Sequence, residues 1–271
     1  IKINQLKHDG VARKVYATGA VNLKDKLGWD LDASLVRFKP QYFVSSVKGE
    51  VSGHVKTQGV WSEQLKRIDI RQLNAAGFIN NKPIRGRGNL TLLLDSTQKG
   101  FLPQQFEAND LYFSYAQNQL QATGNAQSLK IKLNAPALYE LYPGLKGRAY
   151  GSLNVQSQPR LKAIANIAVD NFAFKDVASV RSLRIQGELP TSETTPTLLA
   201  AKIDHLRSGN REIENATVNL AGTRKAHVLK VESKNRQSNL YVQLAGGFNS
   251  NNEWLGQLQK GNFASPRINL V

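Results

Sequence analysis

Cysteine and methionine are both absent from the 271 residues. Without thiols there is no disulfide framework, no thiolate nucleophile and no zinc–thiolate site. The chain opens on Ile1-Lys2-Ile3-Asn4 rather than on methionine. It shows no charged stretch followed by an apolar leader, so it reads as an interior or trimmed piece of a longer protein. No run approaches the roughly 18 apolar residues of a membrane-spanning helix. Aromatic residues make up 8%, a thin supply for stacking nucleic-acid bases. Acidic residues are also few: 20 against 36 basic, a net charge of +16. A basic surface draws anionic partners, such as nucleic acid, anionic headgroups or acidic polysaccharide. Here the Lys and Arg are spread along the chain with no basic cluster. Tyr112-Phe113-Ser114-Tyr115, the one aromatic strip, has no basic flank, so nucleic acid is not expected as a partner.

At 41% apolar residues the composition belongs to a folded chain rather than a disordered one. Its dominant signal is alternation with period two, which puts one aliphatic and one polar face on a strand. Leu129-Lys130-Ile131-Lys132-Leu133 is the cleanest run. Gly151-Ser152-Leu153-Asn154-Val155, Leu183-Arg184-Ile185-Gln186-Gly187-Glu188-Leu189 and Asn239-Leu240-Tyr241-Val242-Gln243-Leu244 follow it. Such runs predict antiparallel sheet with one face dry and one wet.

Turn signals separate the runs at Asp9-Gly10, Asn80-Asn81-Lys82-Pro83, Lys99-Gly100, Asp170-Asn171, Ser208-Gly209-Asn210 and Ser250-Asn251-Asn252. They leave room for only one or two short helical turns, expected at Pro136 to Leu141 and at Ser62 to Lys66. Pro190 to Pro196 reads as a surface loop, so residues 1–271 are expected to form one continuous β-rich segment. Apolar-x-Gly triplets end on Gly19, Gly49, Gly86, Gly124, Gly151, Gly187, Gly222 and Gly246. Their spacing of about 25 to 38 residues is too irregular for a strict solenoid, and suggests one unit used many times.

Chemistry-bearing constellations are missing. His8, His54, His205 and His227 fit no metal-ligand spacing. Asp204-His205 are sequence neighbours, which on a regular strand point to opposite faces and do not act together. Glu107 with Asp110, and Glu212 with Glu214, read as positions on a wet face rather than as a sugar-cleaving pair. No serine sits in a Gly-x-Ser-x-Gly elbow. Gly86-Arg87-Gly88 and Gly144-Leu145-Lys146-Gly147 are too short for a phosphate loop. An enzyme is therefore not expected, and no metal or cofactor is implied. The dry faces could close on each other as a sandwich or leave an apolar trough, and composition does not choose.

Residues 129–271 carry an ordered series of motifs. Leu138-Tyr139-Glu140-Leu141-Tyr142-Pro143-Gly144-Leu145-Lys146-Gly147 reads Leu-x-x-Leu-Tyr-Pro-Gly-Leu-x-Gly. Later come Gly222-Thr223 with His227, Leu244-Ala245-Gly246, Trp254-Leu255-Gly256-Gln257-Leu258 and Ser265-Pro266-Arg267. Together they resemble the TamB group of the AsmA-like family. One departure is the end, where Ile268-Asn269-Leu270-Val271 stands in place of a Gly and a Trp.

The resemblance implies a long, β-rich body crossing the periplasm from an inner-membrane helix that lies outside this segment. It implies an elongated, curved antiparallel sheet curled into a half-pipe, the β-taco, with an apolar interior. It also implies passage of phospholipid between inner and outer membranes, and a partnership with the outer-membrane barrel TamA in barrel-protein assembly. The expected partners are thus phospholipid acyl chains and a TamA-like barrel. The residues expected to line the apolar wall are Leu129, Ile131, Leu133, Leu153, Val155, Leu183, Ile185, Leu240, Val242 and Leu244. Lys130, Lys132, Lys162, Arg184 and Lys230 are expected outside or at a rim. The alternatives are a scaffold offering strand edges to nascent barrel proteins and a β-helix acting on acidic polysaccharide.

Overall fold

The computed structural model describes residues 2–10, 13–23, 26–42, 45–95, 105–125, 127–156, 162–189, 192, 194–251, 253–265 and 268–270. The chain divides into two compact units, one ending at residue 131 and the other running from residue 132. The first holds β1 (Lys2–Gly10), β2 (Arg13–Asn22), β3 (Leu27–Phe38), β4 (Gly49–Trp61), β5 (Leu65–Ile79), β6 (Lys82–Asp95), β7 (Gln105–Tyr115) and β8 (Asn118–Asn125). The division falls within β9 (Ser128–Ala135). The second holds β10 (Leu145–Gln156), β11 (Lys162–Phe174), β12 (Ala178–Leu189), β13 (Thr197–Ser208) and β14 (Arg211–Gly222). It continues with β15 (His227–Asn235), β16 (Ser238–Phe248), β17 (Trp254–Ser265) and β18 (Ile268–Leu270). The only helical pieces among the described residues are 3₁₀ turns at Pro40–Tyr42 and Leu138–Glu140. The all-β expectation therefore holds.

Within each unit every strand pairs antiparallel with the next in sequence, β1 through β8 and β10 through β18. The hairpin turns follow from local chemistry. Asn80 and Asn81 join β5 to β6 with φ of 49° and 62°. This is the left-handed pair a tight two-residue hairpin needs, and asparagine tolerates it. Gly209 makes the same kind of bend between β13 and β14, at φ 57°.

Two expected local structures are corrected. Ser62 to Lys66 is not helical. Ser62 Oγ accepts the Leu65 amide at 3.0 Å and donates to the Leu65 carbonyl at 3.1 Å. That closes a tight turn, and the chain enters β5 at Leu65, where Ile68 and Ile70 alternate as a strand requires. Asp170-Asn171 is not a turn either. Asn171 takes φ 50° inside β11, and pairing resumes at Phe172 opposite Val180. The turn lies after Phe174. Pro136 to Leu141 does hold a helical turn, and Leu138, 9% exposed, anchors it. Lys99-Gly100 and Pro190 lie outside the described residues.

The apolar-x-Gly repeat has no single structural role. At Gly187, φ is +149° and the Leu198 carbonyl sits where a Cβ would stand. At Gly151 the nearest atom to such a Cβ is 3.5 Å away, an ordinary contact.

The wet faces are stitched by ion pairs between or along strands. Arg184 Nη2 meets Asp170 at 2.5 Å, and Arg236 meets Glu214 at 2.9 Å. The Arg87 guanidinium covers the Tyr112 ring at 5.3 Å. Asp69 is the buried member of this set, 4% exposed. Burial alone would raise its pKa. Hydrogen bonds from Gln58 Nε2 at 3.0 Å and Arg67 Nε at 2.9 Å outweigh that, and hold the carboxyl below the usual carboxylate range.

Two predictions follow from these positions. Gly187→Ala should destabilise the second unit by more than the roughly 1–2 kcal/mol of a left-handed backbone alone, because backbone must also move. Gly209→Ala, with nothing within 4 Å, should cost only that backbone strain. Urea unfolding of both variants checks the order. The depressed Asp69 carboxyl binds its proton more weakly in the folded state. Its contribution is complete above about pH 4, the ordinary carboxyl value. It is lost as pH falls from there through the lower folded value. The urea midpoint of the native chain should therefore drop more between pH 6 and pH 3 than that of Asp69→Asn.

Candidate functional site: the apolar face

Cross-strand register decides which side chains share a face. In the second unit, Ile167, Ile185, Ala201, Val218, Val231, Val242 and Gly261 are direct partners in turn across β11 to β17. One row over run Ala165, Gly187, Leu199, Leu220, Leu229, Leu244 and Leu258. On the other side run Val169, Leu183, Ile203, Ala216, Ser233, Leu240 and Phe263. Leu153 and Val155 of β10 join the same face opposite Ala165 and Ala163. The reverse side is polar, with Asn166, Gln186, Ala200, Asn219, Lys230, Gln243 and Lys260 forming a row there.

Seven of the ten expected wall residues thus lie on one face: Leu153, Val155, Leu183, Ile185, Leu240, Val242 and Leu244. Leu133 adjoins it, since a Cβ on Gly151 would stand 3.9 Å from the Leu133 Cβ. Leu129 and Ile131 precede Leu133 at two-residue spacing on β9, and sit in the first unit. Leu129 is buried and Ile131 half-buried. Lys130, Lys132, Arg184 and Lys230 are exposed, and Lys162 is half-buried.

Among the described residues, no second layer seals this face across β13 to β17. Leu199, Leu220, Leu229 and Leu244 remain half-buried. Leu240 is 38% and Leu258 62% exposed. Among the described residues Val155 is the only large side chain left with under 2% exposure, and most other buried apolar residues are alanines. A sandwich would have sunk the leucines completely.

The first unit repeats the arrangement, with no wall residue expected there before β9. Gly19, Leu31, Thr57, Ile70, Leu90, Ala108 and Gly124 form one row across β2 to β8. Val21, Trp29, Gly59, Ile68, Leu92 and Phe106 form the next. The available signal was the Ile68-Asp69-Ile70 and Leu90-Thr91-Leu92 alternation. Register shifts between Ile70 and Leu73, and between Ala108 and Leu111, break its phase.

His54, His205 and His227 are held by protein groups. His54 Nε2 meets Asp32 at 2.6 Å. That hydrogen bond, with the neighbouring Lys56, keeps the Asp32 carboxyl below its ordinary value. His205 Nδ1 meets Asp204 at 2.5 Å. This corrects the expectation that the two point apart. His205 takes φ 48°, which breaks the alternation that would have separated them. Among the described residues no group of three or more His, Asp or Glu could hold a metal ion. No helix there is long and apolar enough to cross a membrane.

The family described as TamB, N-terminal domain, matches residues 1–270. A curated relative, the translocation and assembly module subunit TamB of Haemophilus influenzae, is 24% identical over 277 aligned positions. The alignment covers 98% of this chain and 20% of the relative, so the chain spans about one fifth of that protein's length. No solved structure matches. A family match over nearly every residue settles the lineage: the chain belongs to the TamB family.

Proposed function

We propose that this chain is a stretch of a hydrophobic path that carries phospholipid between the inner and outer membranes. The observation behind the reading is the set of in-register apolar ladders whose leucines stay half-exposed across β13 to β17. The whole protein is then anchored in the inner membrane by a helix elsewhere and crosses the periplasm. It works with a TamA-like outer-membrane barrel in barrel-protein assembly. In this reading the 271 residues act as one continuous segment, curled into a half-pipe around the acyl chains. The ten residues from Leu129 to Leu244 named above belong to its wall.

The physics suits passage rather than storage. Each buried methylene of an acyl chain gains about 0.8 kcal/mol. Strands lie about 4.8 Å apart, so a row across the eight strands β10 to β17 runs about 34 Å. A bilayer core of roughly 30 Å holds two acyl chains end to end, so such a row accommodates about two chain lengths. Successive rungs such as Leu220, Leu229 and Leu244 are alike. A lipid moving from rung to rung exchanges one apolar contact for an equal one and meets no deep well. The path needs no cofactor and no hydrolytic residue, and the chain acts as a conduit rather than an enzyme. The basic, polar reverse face keeps the sheet in water.

The test is site-specific photo-crosslinking in cells. A crosslinker is placed at Ile131, Leu153, Ile185 or Val242, with Lys130 and Arg184 as outward controls. Mass spectrometry should find phospholipid adducts at the four apolar positions and none at the controls. Absence of lipid from all four would defeat the proposal. Adducts with unfolded barrel proteins at those positions would instead support the strand-offering scaffold.

A further inference from the structure

The Gly-Thr-x-x-x-His, Leu-x-Gly and Trp-x-Gly-x-Leu motifs converge on one place. Gly222, His227, Gly246 and Gly256 are cross-strand partners in turn and form one row across β14 to β17. Three of the four lack a side chain. Trp254, two residues before Gly256 on β17, lays its indole into the gap. A Cβ on Gly246 would stand 2.7 Å from the ring, and one on Gly256 would overlap it.

The indole N–H reaches across two strands and donates to His227 Nε2 at 3.0 Å. His227 Nδ1 lies 3.1 Å from the Thr223 carbonyl oxygen. A carbonyl only accepts and an indole only donates. Both contacts are made together only by a neutral imidazole with its proton on Nδ1.

Trp29 repeats the device in the first unit with a different acceptor. Its ring packs on Gly59, its cross-strand partner, and its N–H donates to Thr57 Oγ1 at 3.1 Å. A threonine hydroxyl does not titrate in the physiological range, whereas an imidazole does.

We infer that Trp254 and His227 form an acid-released clasp over one margin of the apolar face. Protonation places a second hydrogen on Nε2, which then confronts the indole N–H instead of accepting from it. Among the described residues no nearby group rescues the contact. Arg224 and Lys225, from the turn between β14 and β15, are cations. Phe248 of β16 stacks 5.8 Å from the imidazole, and Arg224 covers it at 5.0 Å. Glu253, in the turn before β17, has its carboxylate bonded by Asn249 Nδ2 at 2.9 Å. The flanking row, Leu220, Leu229 and Leu244, carries nothing that titrates. Among the described residues no carboxylate pairs with His227. Release bares the glycine row beside that ladder and widens the apolar face there. The device does not depend on what the face carries.

Fluorine NMR on the chain labelled with fluorotryptophan tests it. The Trp254 and Trp29 resonances are assigned by their loss in Trp254→Phe and Trp29→Phe. Between pH 8 and pH 5 the Trp254 resonance should move along a one-proton curve, while that of Trp29 stays in place. In His227→Gln, whose amide oxygen can still accept but does not titrate, the Trp254 resonance should stop moving. The unchanged Trp29 signal reports that the variant is folded, and His227→Asn repeats the comparison should His227→Gln not fold. A Trp254 resonance fixed from pH 8 to pH 5 in the native chain would overturn the inference. So would a movement that persists in the histidine variants.

Discussion

Everything in this molecule depends on cross-strand register. A β-strand separates its side chains onto two faces only if alternation is kept, and neighbouring strands agree on which face is dry only if their pairing stays in step. Consecutive antiparallel pairing supplies that agreement one hairpin at a time. The result in each unit is a set of apolar rows perpendicular to the strands, built from side chains that are far apart in sequence. A slip of one residue in a single strand would turn its leucines outward and interrupt every row it crosses.

Where the register shifts, the chain has absorbed the change. In β4 to β7 the shifts lie in successive strands, so the apolar rows persist on both sides of them. In the second unit the left-handed residues Asn171 and His205 do related work. Each sits where the apolar phase of its strand changes, from Ile167 and Val169 to Phe172 in one case and from Ile203 to Leu206 in the other. Pairing continues past both.

Much of this was legible in the residues themselves. The β9, β10, β12 and β16 runs read as strands because a single phase of alternation holds through the stretch that was read. The tight turn at Asn80-Asn81 was equally plain. Asp170-Asn171 looks like a turn in sequence because asparagine announces a left-handed residue without saying whether the chain reverses there or goes on. The Asp204–His205 contact is hidden in the sequence because nothing there marks the loss of alternation at His205. The face in the first unit is faint in the sequence because its rows run through Gly19, Gly59, Ala108 and Gly124, which carry little apolar signal. Whether the dry faces would close as a sandwich was beyond composition. That needed the half-exposed leucines of β13 to β16.

The pairing of each strand with its successor has a consequence for how such a chain is made and remade. Its contacts are local in sequence for the size of the sheet, so hairpins can form and add in order without closing long loops. It also sets a rule of parity for change by duplication or loss. Gaining or losing a hairpin, two strands at once, leaves chain direction and the dry face as they were. Gaining or losing one strand reverses the direction of everything after it. A lineage that lengthens or shortens a body of this kind is thereby held to even steps.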